Sequence, residues 1–258
     1  MRRAGVLLCF AFAALVCRGR GGGETSAALL ARARQSMRQA LARLPDYTCI
    51  ETITRSISDG NPPRPVTLDR VRLQVAVVRG NELFSWPGAT PFERGDPREI
   101  VAGGLTGTGD FANFTRAVFA TDAPTFTSGE EEIRSGRRTI RYDYQVPLQK
   151  SGYLLRSGPA RAKVDYHGSF WVDPETARVL SLEVHVDERV NEIPETLDMY
   201  DVRTVIEYRT IAMGGAEFPF PAVSELTVRH RRSPVVTGNR IEFGGCRQYA
   251  AQSTVRFG

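Results

Sequence analysis

Few groups in this chain could support chemistry: three histidines, four cysteines and one carboxylate, Glu51, at an otherwise apolar position of a strand. No serine sits in a G-x-S-x-G elbow, and no H-E-x-x-H motif occurs. The run Gly104-Leu105-Thr106-Gly107-Thr108-Gly109 lacks the Gly-Lys-Ser/Thr ending with which a phosphate loop holds phosphate and metal. His167 and His185 flank the turn sequence Asp173-Pro174-Glu175-Thr176-Ala177, where Asp suits the first position and Pro fixes φ at the second. With those five residues as the loop, Phe170 is expected opposite Leu180, Tyr166 opposite Val184 and Val164 opposite Val186. On the other face His167 then meets Glu183, Asp165 meets His185 and Lys163 meets Asp187. Each histidine thereby gains a carboxylate neighbour, so cross-strand pairing without a metal is expected; a zinc cluster of Asp165, His167, Glu183 and His185 is the alternative. Glu51 is in phase with Tyr47, Cys49 and Ile53, so it points inward unless a bulge turns it out, and an inward carboxylate needs a partner or a proton. Neither a catalytic set nor a cofactor is expected, and the chain reads as a non-enzyme.

The cysteines speak of compartment and architecture. Arg2 and Arg3, an apolar stretch from Ala4 to Val16 and the small residues Thr25-Ser26-Ala27 have the layout of an export signal. A leader over residues 1–27 takes Cys9 and Cys17 with it and leaves Cys49 and Cys246. An even pair in an exported chain, periplasmic or extracellular, without C-x-x-C spacing, is expected as a structural disulfide. A lipid anchor on Cys17 is the alternative to soluble export, although Ala14 and Val16 stand where lipoprotein processing favours Leu and a small residue. Joining Cys49 to Cys246 brings the first and last strands together, as a closing or nearly closed barrel requires. Gly244-Gly245 suggests a bulge beside the second cysteine.

The elements that must position these groups follow from periodicity. Leu30, Ala33, Met37, Leu41 and Leu44 make one apolar stripe, so residues 28–44 are expected as a helix, capped by Ser26 and ended by Pro45. From Tyr47 the period falls to two. Val71, Leu73, Val75 and Val77 alternate with polar residues and return after Arg79-Gly80-Asn81; Ile140 to Val146 and Tyr200 to Tyr208 repeat the pattern. Residues 97–121 differ: Glu99 to Gly104 reads as a short helix, a glycine-rich hinge follows, and Asp110 caps a helix carrying Phe111, Phe114, Val118 and Phe119. Such an oily helix is expected either as a lid or as a plug at one end of a β core.

Composition bounds the function. Hydrophobic content of 41% and charged content of 24% are those of a packed globular domain, and residues 28–258 are expected to form a single one. The net charge of +5 shrinks without the leader to 30 basic against 28 acidic residues, which argues against a nucleic-acid partner.

The order of leader, helix, hairpins, helical insertion and further strands resembles the periplasmic lipoprotein-carrier family of LolA, LolB and the related sensor RseB. Phe170-Trp171-Val172-Asp173-Pro174-Glu175-Thr176, followed by Val179-Leu180-Ser181-Leu182-Glu183, is similar to that group's aromatic-Val/Ile-Asp-x-x-Thr-Gly turn. Ala177 stands where the group has glycine. The chain is also similar to exported bacterial proteins with Gly-Ser-Phe-Trp-Val-Asp-Pro-Glu-Thr and, near the end, Cys-Arg-Gln-Tyr, a likeness that brings no activity. The first resemblance implies a curved antiparallel sheet forming a half-open β-barrel, covered by the N-terminal helix and a short helical lid. It also implies non-enzymatic binding of a lipid, an acyl chain or a lipidated protein. Phe111, Phe114, Val118 and Phe119 would then form the moving wall, with Tyr142, Tyr144, Tyr166, Phe170 and Glu51 on the inner side. The alternative is an envelope protein-interaction or sensor module whose core is filled.

Overall fold

The computed structural model describes residues 24–59, 64–89, 92, 97–101, 103 and 113–249. The expected leader up to residue 23, Cys9, Cys17, Asp110 and Phe111 lie outside the described residues. The chain begins with α1 (Ser26–Arg43), then β1 (Tyr47–Asp59), β2 (Arg64–Val78) and β3 (Asn81–Ser85). A 3-10 turn at Pro97–Glu99 and α2 (Asn113–Phe119) precede β4 (Thr125–Phe126), β5 (Glu130–Arg134) and β6 (Arg137–Val146). Next come β7 (Leu154–Ser157), β8 (Ala160–Lys163), β9 (Tyr166–Val172) and β10 (Val179–Asp187). Three long strands end the chain: β11 (Met199–Met213), β12 (Ala216–His230) and β13 (Val236–Gln248).

Eleven strands form one antiparallel sheet in the order β3-β2-β1-β13-β12-β11-β10-β9-β6-β4, with β5 also on β6; β7 and β8 make a separate hairpin. The sheet does not close on itself, because β3 ends one side of the ladder and β4 with β5 the other. Cys49 and Cys246 are bridged, with Cα atoms 4.1 Å apart. The first and last strands do meet, yet inside the sheet and not at a barrel seam. The expected bulge is there: Thr48 pairs Arg247 and Ile50 pairs Gly244, so Cys49 faces two residues of β13, and Gly245 takes φ 59°.

Alternation builds the core. Tyr47, Cys49 and Ile53 of β1 face Leu73, Val75, Phe84, Phe218, Phe220 and Phe243 in one apolar cluster, and Glu51 is buried on the same face of β1. A second cluster gathers Tyr142, Tyr144, Tyr166, Phe170, Leu182, Val184 and Ile206 under both helices. α1 spans the two: Leu29, Ala33 and Met37 join the second cluster, whereas Ala40 and Leu44 join the first. Thr25, not Ser26, caps α1, its hydroxyl accepting from the Ala28 amide at 3.2 Å. Ser26 instead ties the helix to β6: its Oγ accepts from the Gly129 amide at 2.7 Å, and its carbonyl accepts from the Tyr142 hydroxyl at 2.7 Å. The expected leader boundary at residue 27 therefore falls inside α1.

The β9–β10 hairpin departs from the expected register. Phe170 lies opposite Leu182, not Leu180, and His167 lies opposite His185, not Glu183. There are two causes: the loop holds six residues, not five, so Val172 faces Val179 and not Arg178, and a bulge between Val179 and Ser181 leaves Leu180 without a partner. The loop runs from Asp173 to Arg178, and Ala177 takes the left-handed conformation with φ 56°. Val179, before the bulge, is thereby turned to the face of Phe170, whereas from Ser181 onward the slip is two residues and each side chain keeps its expected face with a new partner. Lys163 belongs to β8 and Val164 to the connection, so neither pairs with Asp187 or Val186 in the β9–β10 ladder.

Candidate functional site

The residues expected to line a cavity are packed against one another. Tyr142 stacks on Phe170 with centroids 5.3 Å apart, and Phe119 of α2 meets Phe170 edge-on at 5.1 Å. Phe114 packs edge-on against Tyr153 at 5.0 Å and Tyr166 at 6.4 Å. Val118 is fully buried beside them. Offset and edge-on geometries are those in which ring quadrupoles attract, so α2 sits on a matched aromatic surface. A polar contact joins it to the sheet: Thr115 Oγ1 and the Tyr208 hydroxyl lie 2.6 Å apart.

This packing leaves a titration signature. Burial pushes the Tyr166 phenol up to about 12, and it raises Tyr144 well above the ordinary phenol range, with the neighbouring Tyr166 and Tyr208 adding to the shift. Both phenols ionise more readily in the unfolded chain, where their pKa is close to 10. The neutral form therefore contributes stability that is fully present below pH ~10 and is lost as pH rises toward the folded values. Alkaline titration followed by tyrosinate absorbance should show exposed tyrosines ionising first. Tyr144 should ionise only with the loss of near-ultraviolet circular dichroism; ionisation without unfolding would show the aromatic cluster to be open.

An open space lies elsewhere, between α1 and the sheet. A groove of about 380 Å³ runs beside Ala33, Met37 and Ala40, over Val179, Tyr208 and Phe218. Its volume falls within the range of small-molecule sites, ~300–1,000 Å³. Arg43, Arg137, Arg178 and Arg209 are among its lining residues, with two carboxylates, Asp173 and Glu217; Arg43 also donates to the Gln39 carbonyl, Arg178 to the Thr210 hydroxyl and Arg209 to the Phe243 carbonyl. Both carboxylates are engaged: Glu217 lies 3.6 Å from Arg178, and Asp173 Oδ1 accepts from the Glu175 and Thr176 amides of its own turn at 2.9 and 3.2 Å. Apolar floor and cationic rim together suit an amphiphile with an anionic head. None of the described residues expected in the cavity or its lid borders this groove. Its walls come from α1, the Asp173–Arg178 turn and the β11–β12 hairpin, parts of the chain that share no local motif. The spacing of Ala33 and Ala40 on the buried face of α1 was the available signal, since two small side chains hold the helix backbone near the sheet without filling the space.

Polar contacts hold the helices at this groove. Arg32 donates to the carbonyls of Pro174 and Glu175 at 3.2 and 3.5 Å, fixing α1 to the turn. Arg38 Nε donates to the Phe119 carbonyl at 2.9 Å, closing the C-terminal end of α2. Such exposed contacts are worth about 0–1 kcal/mol each, far less than the aromatic burial beneath them.

The histidines occupy the sheet face turned away from the helices. Their rings lie 5.0 Å apart. His185 Nε2 is 3.2 Å from Asp201 Oδ2, and His167 Nδ1 is 3.2 Å from Asn191 Oδ1. Asp165 and Glu183, expected beside the histidines, are held by other groups: Asp165 accepts from Asn191 at 2.9 Å and Glu183 from Arg203 at 2.5 Å. Burial, with His185 second, pushes His167 below the ordinary histidine range, and the Arg189 guanidinium holds Asp187 down at about 2. Cross-strand pairing with carboxylates holds for His185, through Asp201 in place of Asp165.

Comparison with known proteins gives structural likeness only. No family model matches the chain. No curated protein matches it. Among solved structures, a LolA superfamily protein from Nitrosomonas europaea is 12% identical, with a TM-score of 0.43 over 89% of this chain and 96% of that one. A putative outer membrane lipoprotein-sorting protein domain from Vibrio parahaemolyticus is 11% identical, with a TM-score of 0.42 over 87% of this chain and 92% of that one. A DUF1329 family protein from Desulfovibrio piger is 14% identical, with a TM-score of 0.41 over 88% and 93%. No helix among the described residues is long and apolar enough to cross a membrane.

Proposed function

We propose that this is an exported, non-enzymatic binding protein that holds a single-chain amphiphile with an anionic head in the groove beneath α1. The groove itself carries the reading, through its apolar floor of Met37, Val179, Tyr208 and Phe218 under a rim of four arginines. The acyl chain gains by leaving water, roughly 0.8 kcal/mol per buried methylene, while the head accepts charge-assisted hydrogen bonds at the rim. A lipidated protein segment is the cargo class that the resemblance to lipoprotein carriers implies.

A longer chain requires more room, and α2 is the element able to give it. Ordering its seven residues costs about 7–14 kcal/mol of backbone entropy. Burying Phe114, Val118 and Phe119 returns about 5–9 kcal/mol. Docking of α2 is thus nearly balanced, and a ligand that displaces Tyr208 from Thr115 removes one of its attachments. In this reading Phe114, Val118 and Phe119 form the moving wall, and Tyr142, Tyr144, Tyr166 and Phe170 become the surface a long ligand meets. Glu51, buried in the other cluster, marks the far side of the inner face.

The filled aromatic cluster favours a second reading, an envelope sensor or protein-interaction module that never opens. Titration with a fluorescent long-chain fatty acid separates the two. Saturable binding is expected, weakened about tenfold when Arg43 and Arg137 are both replaced by glutamate, and weaker for the matching alcohol than for the acid. Lack of saturable binding by the folded protein would leave the sensor reading.

A further inference from the structure

We propose that His167, His185, Asp187 and Asp201 form a zinc site on the outer face of the sheet, unconnected with the groove. The four come from three adjacent strands. His167 of β9 lies directly opposite His185 of β10 in the ladder, and Asp201 of β11 lies opposite Asp187 of β10. Nitrogen and oxygen atoms of His185, Asp187 and Asp201 all lie within 4.8 Å of one another; His167 stands outside that group, its ring 5.0 Å from the His185 ring, and would close in on the ion as the fourth ligand.

The closest pair has the separation a metal demands. Zinc takes nitrogen and oxygen ligands at about 2.0–2.2 Å in a tetrahedron, which sets neighbouring ligand atoms roughly 3.3 Å apart. His185 Nε2 and Asp201 Oδ2 are 3.2 Å apart. Asp187 completes the set by releasing Arg189, whose side chain is 79% exposed and free to swing into solvent. Arg229, at 4.0 Å from Asp201 Oδ1, is a second guanidinium that balances carboxylate charge at this place. A divalent ion would concentrate on one point the positive charge now divided between those two arginines.

His167 has the support that metal-bound imidazoles ordinarily show. Its Nδ1 meets Asn191 Oδ1 at 3.2 Å, and the Asn191 amide donates in turn to Asp165 at 2.9 Å. With Nδ1 donating, Nε2 carries the lone pair a metal uses. Asn191 Oδ1 also accepts from the Asp187 amide at 3.0 Å, so one buried asparagine orients both the ring and the backbone of a second ligand residue. Two imidazoles and two carboxylates without a thiolate suit zinc better than calcium or magnesium, which take shells of oxygen, or copper(I), which favours sulfur. Bound there, zinc would clamp β9, β10 and β11 at the end of the hairpin remote from the bulge at Leu180.

Equilibrium dialysis of tag-free protein against zinc chloride, with bound metal counted by mass spectrometry, tests the site. One zinc per chain is expected, with a higher melting temperature. His185→Gln, Asp201→Asn and His167→Gln should each weaken binding at least tenfold and abolish the thermal shift, with circular dichroism confirming that each variant folds. His230→Gln, at the third histidine of the chain, which is bonded to Thr237, should bind as the parent does. Failure of the parent protein to bind zinc stoichiometrically would overturn the site, as would binding unchanged in folded His185→Gln and Asp201→Asn.

Discussion

Replacing Cys49 and Cys246 together by alanine is expected to lower the unfolding free energy by several kcal/mol while leaving the far-ultraviolet circular dichroism unchanged. The bridge closes a separation of 197 residues, for which chain entropy sets an upper figure of about 5 kcal/mol. Native secondary structure should persist because β1 and β13 remain paired from Tyr47 opposite Gln248 to Ser58 opposite Val236, and each is flanked by another strand. The bond is a staple within a continuous sheet, so its loss acts mainly through a freer unfolded chain. Urea denaturation should therefore show a lower midpoint and a slope that does not fall, since the unfolded chain exposes at least as much surface. A change below ~1 kcal/mol would mean that the ladder by itself fixes the ends of the chain.

Gly168→Ala is expected to cost about 3 kcal/mol or more, or to prevent folding. A Cβ at Gly168 would lie 1.9 Å from the backbone oxygen of Glu183 and 2.9 Å from the Tyr144 hydroxyl. The tyrosine crosses β9 at this point: it stands opposite Gly168 in β6, and its hydroxyl donates to the Glu183 carbonyl of β10 at 2.8 Å. Backbone cannot yield as a side-chain tip does, so the β9–β10 ladder must separate, beyond the ~1–3 kcal/mol usual for overpacking. Tyr144→Phe makes the contrast, removing the hydrogen bond without the clash, at about 1–2 kcal/mol. Thermal melts of the two variants should keep that order; an alanine at 168 as stable as the parent would show that β9 and β10 are spaced differently.

Much of the fold is legible in the sequence because it depends on short-range periodicity. The alternation from Val71 to Val77 matches buried Leu73, Val75 and Val77, and the turn forms at Arg79 and Gly80, both at positive φ. The inward phase of Glu51 and the pairing of Cys49 with Cys246 follow from residue spacing and cysteine count. The hairpin register does not, since it depends on the bulge at Leu180 together with a sixth residue in the loop. Ala177 is the trace it leaves: an alanine at φ 56° where the resembling turn has glycine, held by burial. Replacing it with glycine would relieve about 1–2 kcal/mol of left-handed strain but lose about 0.8 kcal/mol of methyl burial and free the unfolded chain, which explains why alanine is tolerated.

The candidate site was less legible. Oily residues such as Phe114, Phe119, Tyr142 and Phe170 look alike in sequence whether they line a space or fill it; here Phe119 and Tyr142 both pack on Phe170. The groove is a property of three distant segments brought together, and its arginines are spread from Arg43 to Arg209. A single sheet surface also carries the histidines, whose partner Asp201 lies on a strand that no local pattern links to them.

The groove stands or falls on what the protein carries out of its native compartment. Lipids should be extracted from natively purified parent protein and from Ala40→Phe, where an aromatic ring takes up the space beneath α1, and identified by mass spectrometry. A single-chain anionic amphiphile at near-equal molar ratio in the parent, and its loss from the folded variant, is the expected result. Parent protein free of bound amphiphile, or equal amounts in both, would contradict a ligand held between α1 and the sheet.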